Sequence, residues 1–194
     1  MVVYNEKLIT APAEEPLTVS EAETWLKLDP GSDTALVTAL IKSARQQIET
    51  DYHCALVTQT WEFRLDGFPG VGDDEITIPR APVQAVNSIK YYDTSGTLTT
   101  WTSTNYQFDG NDLFARIARV NGVSWPATQA GKLNAVIINA DLGYGGASAV
   151  PEAIKDAIRV MIAFRYENRE DMPLPGAWSR TARNILNNFF NRVP

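Results

Sequence analysis

Three stretches of the chain carry residue types that perform chemistry in other proteins. They are the neighbours His53-Cys54, the run Gly143-Tyr144-Gly145-Gly146, and the acid clusters Asp73-Asp74-Glu75 and Asp109-Gly110-Asn111-Asp112. A thiol nucleophile needs a base that converges on the same reacting atom and a third group that orients the base. His53 and Cys54 are consecutive at a predicted helix end, where neighbouring side chains point about 100° apart, so they do not converge. They are also the single histidine and the single cysteine. That removes every other Cys/His or Ser/His dyad, any disulfide framework and any Cys/His zinc cage. The reading for the pair is a histidine favourable to the helix dipole beside a packed cysteine.

The glycine run lies between a predicted strand and a predicted helix, where a dinucleotide-binding loop would sit. Such a loop needs close backbone approach to a pyrophosphate, a helix N-terminus, and a further parallel strand bearing an acid. Here Ser148 stands at the third glycine position, Pro151 removes an amide, and no strand follows the helix. The run reads as a strand-to-helix turn. The acid cluster from Asp109 does not match an EF-hand, because Leu113 and Val120 fall at ligand positions five and twelve. Both clusters sit in turn segments, where Asp and Asn are common for backbone reasons. A glycosidase pair could arise from any two of the 23 acids, and spacing singles out none. Of the five tryptophans, Trp61 falls in a strand pattern and reads as core. Trp101 and Trp125 lie near loops, as a carbohydrate-stacking platform or as packing beneath those loops.

The elements that position these residues follow from patterning. The chain has 194 residues, a net charge of -6, 44% apolar and 21% charged residues, enough to bury a core and too apolar for general disorder. No apolar run approaches the ~18 residues of a membrane span, and the start lacks the basic and apolar regions of a signal peptide. The expectation is a soluble intracellular globular protein. Its acidity argues against holding nucleic acid by general electrostatics. Pro12 and Pro16 interrupt an extended N-terminal arm. Thr18 and Glu21 form a capping box, with Leu17 and Ala22 as staple. Asp33 is placed to cap a longer helix with Leu36, Val37, Leu40, Ile41, Ala44, Ile48 and Tyr52 on one face and Lys42, Arg45, Glu49 and Asp51 on the other. From Val57 the period becomes two, and strands are predicted at 57–65, 75–78, 86–92, 98–101, 106–108, 113–117 and 132–142. Pro151 fits the first position of a helix running to about Glu170, and Ser179 is placed to cap a final one.

The fold class is therefore α+β: a helical core layer with a contiguous antiparallel β domain inserted between N-terminal and C-terminal helices. The expected boundaries are an arm over 1–16, helical core over 17–54, β domain over 55–146, helical core over 147–171, and a linker with a C-terminal helix over 172–194. That last segment carries Arg180, Arg183 and Arg192 and no acid, a net +3 that leaves -9 on the rest of a chain totalling -6. Two readings stand. The helix folds back on its own domain, or it docks on a partner, with the arginines orienting it and Leu174, Trp178, Ile185, Leu186, Phe189 and Phe190 supplying apolar area.

The order of several short segments adds a resemblance. It runs Pro16-Leu17-Thr18-Val19-Ser20-Glu21-Ala22, Val57-Thr58-Gln59-Thr60-Trp61, Leu65-Asp66-Gly67-Phe68-Pro69 and Ile78-Pro79-Arg80-Ala81-Pro82-Val83. It continues through Ile89-Lys90-Tyr91-Tyr92-Asp93, Trp125-Pro126, Gly143-Tyr144-Gly145, Val150-Pro151-Glu152-Ala153-Ile154 and Tyr166-Glu167-Asn168-Arg169-Glu170. Over residues 16–171 this resembles the head–tail connector (adaptor) proteins of long-tailed phages, prophages and gene transfer agents. The resemblance implies a virion structural protein of the neck, not an enzyme, made in the host cytoplasm and working without cofactor or metal. It implies a ring, usually of twelve copies, beneath the portal. The implied partners are the portal protein, neighbouring copies, and a tail-side neck, stopper or tail-terminator protein. Double-stranded DNA would pass through without specific binding, and no membrane is involved. The same segments leave a phage-associated carbohydrate- or ligand-binding module as the alternative.

Overall fold

A computed structural model describes residues 5–70, 75–110, 115–168 and 179–190. The chain is α+β and divides into two units, one of residues 1–12 and 58–143, the other of residues 13–57 and 144–194.

The second unit is helical. Helix α1 (Val19–Leu26) begins at the capping box: the Glu21 amide donates to Thr18 Oγ1 at 3.2 Å, and the Thr18 amide donates to the Glu21 carboxylate at 2.8 Å. It ends at Lys27, whose backbone is left-handed with φ 56°. Helix α2 (Thr34–Asp51) follows, then α3 (Glu152–Glu167) and α4 (Arg180–Phe190). Asp33 makes no cap bond with its side chain. The Tyr166 hydroxyl of α3 donates to its carboxylate instead. Pro151 lies one residue outside α3, extended at ψ 137°. Val37, Ile41, Ala44 and Ile48 of α2, Ile154, Ile158, Met161 and Ile162 of α3, and Ala182 and Leu186 of α4 share one core. Each large side chain so buried contributes about 1.5–3 kcal/mol.

The predicted polar face of α2 is not all at the surface. Arg45 and Glu49 are buried, at 4% and 6% exposure. Periodicity placed them opposite the apolar stripe, but the chain segment before α1 covers that side. Arg45 donates to Glu15 at 2.7 Å and to Glu49 at 2.6 Å, and Glu49 also accepts the Leu56 amide at 3.0 Å. Burial works to lower the Arg45 pKa, yet the bond to Glu15 and the charge of Glu49 outweigh it and raise the value. A guanidinium loses less hydration than an ammonium and binds two carboxylates at once, so it suits this position.

The first unit is β. Its strands are β1 (Asn5–Thr10), β2 (Gln59–Leu65), β3 (Glu75–Thr77), β4 (Val83–Tyr92), β5 (Leu98–Trp101), β6 (Tyr106–Asp109), β7 (Arg116–Arg119) and β8 (Val136–Leu142). They form a five-stranded sheet in the order β1-β2-β8-β4-β5 and a three-stranded sheet in the order β3-β7-β6. Every neighbouring pair is antiparallel. β8, the most apolar strand, is central and alternates cleanly, burying Val136, Ile138, Ala140 and Leu142. Of the N-terminal segment, residues 5–10 form an edge strand on β2, with Leu8 opposite Trp61. Isolated periodicity could not reveal that pairing, since all of β1 but Glu6 is exposed. β7 overlaps the predicted 113–117 strand, of which residues 113 and 114 lie outside the described residues, and its Ile117 stands opposite Phe108 and Ile76. Among the described residues no helix is long and apolar enough to cross a membrane.

Two outcomes follow for stability. Arg45→Ala leaves Glu49 buried without its cation and is expected to lower unfolding free energy by about 3–5 kcal/mol in urea denaturation. Thr18→Ala is expected to cost about 1 kcal/mol. The Thr18 amide and hydroxyl hold the Glu21 carboxyl below its ordinary 4.5. A carboxylate lowered in the folded state stabilises above the unfolded value and loses that contribution as pH falls through the folded one. The Thr18→Ala deficit should therefore be full above pH 4.5 and shrink in more acid solution, as urea melts at stepped pH would record.

Candidate interaction surfaces

Helix α4 lies on its own unit. Ala182 and Leu186 are fully buried, and Ile185, Phe189 and Phe190 are half-buried against the same core. Tyr52, at the end of α2, receives the helix: its hydroxyl donates to Asn187 at 2.7 Å and its ring stacks on Phe190 at 4.7 Å. Burial raises the Tyr52 pKa, with Arg183 acting against that rise. The opposite face, Arg180, Arg183, Asn184 and Asn188, is exposed. Neither arginine has an ion pair within the described residues. Leu174, Trp178 and Arg192 lie outside the described residues. The two readings of α4 thus meet in one helix: an apolar face packed within the chain and a basic face open to solvent.

The glycine run is closed by an internal carboxylate. Glu14 accepts the Ala147 amide at 2.7 Å, and a Cβ on Gly146 would stand 2.9 Å from the same carboxylate oxygen. Gly145 has φ 130°, which L side chains rarely adopt. The amide that could have met a phosphate is bound to Glu14, so the run is a strand-to-helix turn. Tyr144 packs on the helical core, and burial, reinforced by Cys54, pushes its phenol up to about 12.

His53 and Cys54 diverge. His53 is exposed with a left-handed φ of 47°, whereas Cys54 is 1% exposed and points its thiol toward the Ile48 carbonyl at 3.7 Å. Of the acid clusters, Asp73, Asp74, Asn111 and Asp112 lie outside the described residues. Glu75 and Asp109 stand on the outer strands of the small sheet and are both bridged by Arg116 of the middle strand, at 3.4 and 3.1 Å. Among the described residues no group of three or more His, Cys, Asp or Glu could hold a metal ion.

Trp101 is 6% exposed and offers no stacking platform. It sits with Phe68, Tyr106 and Trp125 in an aromatic cluster, at centroid distances of 4.8–5.5 Å. Packing beneath loops is thus the reading that holds. Trp25, given no role from sequence, is exposed at 52%. It borders an open groove of about 610 Å³ lined by Ser20, Glu21, Thr24, Lys27 and Arg159. Its position after Thr24 in an amphipathic helix gave no signal, since Leu26 and Ala22 already satisfy the inward face.

These observations define a class: an α+β protein with a helical unit and a β unit. No protein-family model and no curated protein matches the chain. Among solved structures, a chain from the neck of an empty gene transfer agent particle, computed with C6 symmetry, is 24% identical. It has a TM-score of 0.77, covering 95% of this chain and 94% of that one. A chain from the virion of a native gene transfer agent particle gives 24% identity and a TM-score of 0.73, covering 94% and 93%. One from a native neck computed with C12 symmetry gives the same identity and score, covering 98% and 94%. The shared feature is the fold, end to end.

Cys54 should be silent in the folded chain. A thiol-reactive dye is expected to label it at least about a hundredfold faster in denaturant than in buffer, because access requires opening of the helical core.

Proposed function

We propose that this chain is a virion structural protein of the neck, a head–tail connector that joins capsid to tail. In this reading it assembles as a ring of twelve beneath the portal and borders the channel through which DNA leaves. The observation that carries the reading is the end-to-end likeness, at TM-score 0.77 over 95% of the chain, to a chain of a gene transfer agent neck. The ordered sequence segments over 16–171 support it independently. So does the charge of -6, because an acidic wall lets DNA slide where a basic one would hold it. A ring of identical copies requires a heterologous interface whose rotation closes.

The portal contact belongs, in this proposal, to the C-terminal segment. The exposed Arg180 and Arg183 would orient it, and Leu174, Trp178, Ile185, Phe189, Phe190 and Arg192 would complete it. Leu186, buried in the helical core, would act by holding α4 in place. The tail-side face would meet a stopper or tail-terminator protein. The ligand-binding alternative would need Trp101 or Trp125 exposed; Trp101 is buried and Trp125 half-buried.

Co-sedimentation with portal rings from the same genome tests this. At micromolar protein and low salt the chain should pellet with portal, and Arg180→Glu/Arg183→Glu should weaken that binding by roughly tenfold or more. The double variant keeps Ala182 and Leu186, so it retains the fold that a chain ended at Asp171 would lose. Unchanged binding by the variant would retain the connector role and remove α4 as anchor. No binding by the parent chain would overturn the reading.

A further inference from the structure

The five-stranded sheet has two open edges. Among the described residues, β1 pairs with no strand but β2, and β5 with none but β4. Edges of this kind are templates for a further strand, and proteins usually blunt them with charge, proline or a covering element. β5 is not blunted in this way: Thr97-Leu98-Thr99-Thr100-Trp101 has no charge and no proline, and Leu98 is 46% exposed. β1 exposes the consecutive residues Leu8 and Ile9 at 41% and 49%. Ile9 is the inserted residue at a register shift between Leu8 and Thr10, so β1 presents two adjacent apolar side chains and buries neither. The strand is held by its backbone pairing with β2 and by the Glu6–Arg80 ion pair at 3.0 Å, and a second neighbouring strand would cover Leu8 and Ile9.

We propose that the occupant of each edge is a second copy of this chain, with β5 of one copy pairing with β1 of the next. The inference rests on the ring reading above and names its β contact. The two edges are different surfaces, so the contact is heterologous and propagates head to tail, as a ring needs. Its direction follows from strand number. Five strands, each antiparallel to its neighbour, make β1 and β5 run the same way. A sheet continued from copy to copy by rotation therefore joins β5 to β1 in parallel. Parallel pairing is slightly weaker per residue than antiparallel, which suits an interface that forms only when many copies are gathered on a portal. Leu8 and Ile9 would then lie beside Leu98 and Thr100, apolar against apolar and β-branched residues.

Cysteine pairing tests the proposal, with buried Cys54 as the only native thiol. Leu8→Cys and Thr100→Cys chains are purified separately, mixed, and treated with a short bis-maleimide, both free at high concentration and bound to portal rings. The mixture should yield a two-chain adduct that neither variant yields alone. Ile9→Glu/Leu98→Glu, exposed in the monomer, should raise the concentration needed for assembly by roughly tenfold or more. An adduct from Leu8→Cys alone would mean β1 pairs with itself, and would overturn the proposal. Rings that assemble without the mixed adduct, or whose assembly ignores the glutamates, would overturn the edge pairing and leave the ring reading standing. A parent chain that forms no ring even on portal would overturn both.

Discussion

Arg45 is a cation taken almost wholly out of water, and the helical unit is arranged around what that requires. Removing a guanidinium from solvent costs several kcal/mol unless its donors are met. Glu49, one helical turn away, meets one side, and Glu15 meets the other from a segment thirty residues earlier. The second partner pins the stretch just before Pro16 against α2. Glu49 in turn holds the Leu56 amide, just before the chain passes into the β unit at 57–58. Glu14, beside Glu15, takes the Ala147 amide just after the chain returns at 143–144. Three carboxylates thus fix the backbone near each of the three places where the chain passes between units.

The β unit solves a different problem. Its strands are short, and a short strand stabilises little without cross-strand partners. The answer is a central β8 paired on both sides, with apolar residues on the buried face, and an aromatic cluster around Trp101 filling the space beneath the loops. Stability is thus concentrated at the centre of the sheet, and Leu8, Ile9 and Leu98 at its margins are exposed. The same division appears in α4, which spends one face on the core and leaves its arginines to solvent. A virion part of the kind proposed has to be stable as a free subunit and still present surfaces that close only in company.

Much of the fold was legible in the residues. The capping box at Thr18, the switch from period 3.6 to period 2 after Cys54, and the hairpin turn at Asp93-Thr94-Ser95-Gly96 each depend on contacts within a few positions. Local sequence therefore determines them, and they stand where expected. The dismissal of the His53-Cys54 pair was equally local, since consecutive residues cannot converge. The candidate interface was legible in part: charge marked α4 as basic, and periodicity marked its apolar face. The partner of that face could not be read, because an amphipathic helix looks the same against its own core as against a neighbour.

By itself, then, the amino-acid order determined the fold class and most of the element types, which follow from composition or near-neighbour spacing. Only the tertiary structure decided that Arg45 and Glu49 lie inside, that Tyr166 rather than a helix amide takes Asp33, that Glu14 fills the glycine turn, and that residues 5–10 form an edge strand. Each of these joins residues far apart in the chain. Burial of a charge or pairing of a strand depends on what the fold brings to the other side, and no local pattern records that.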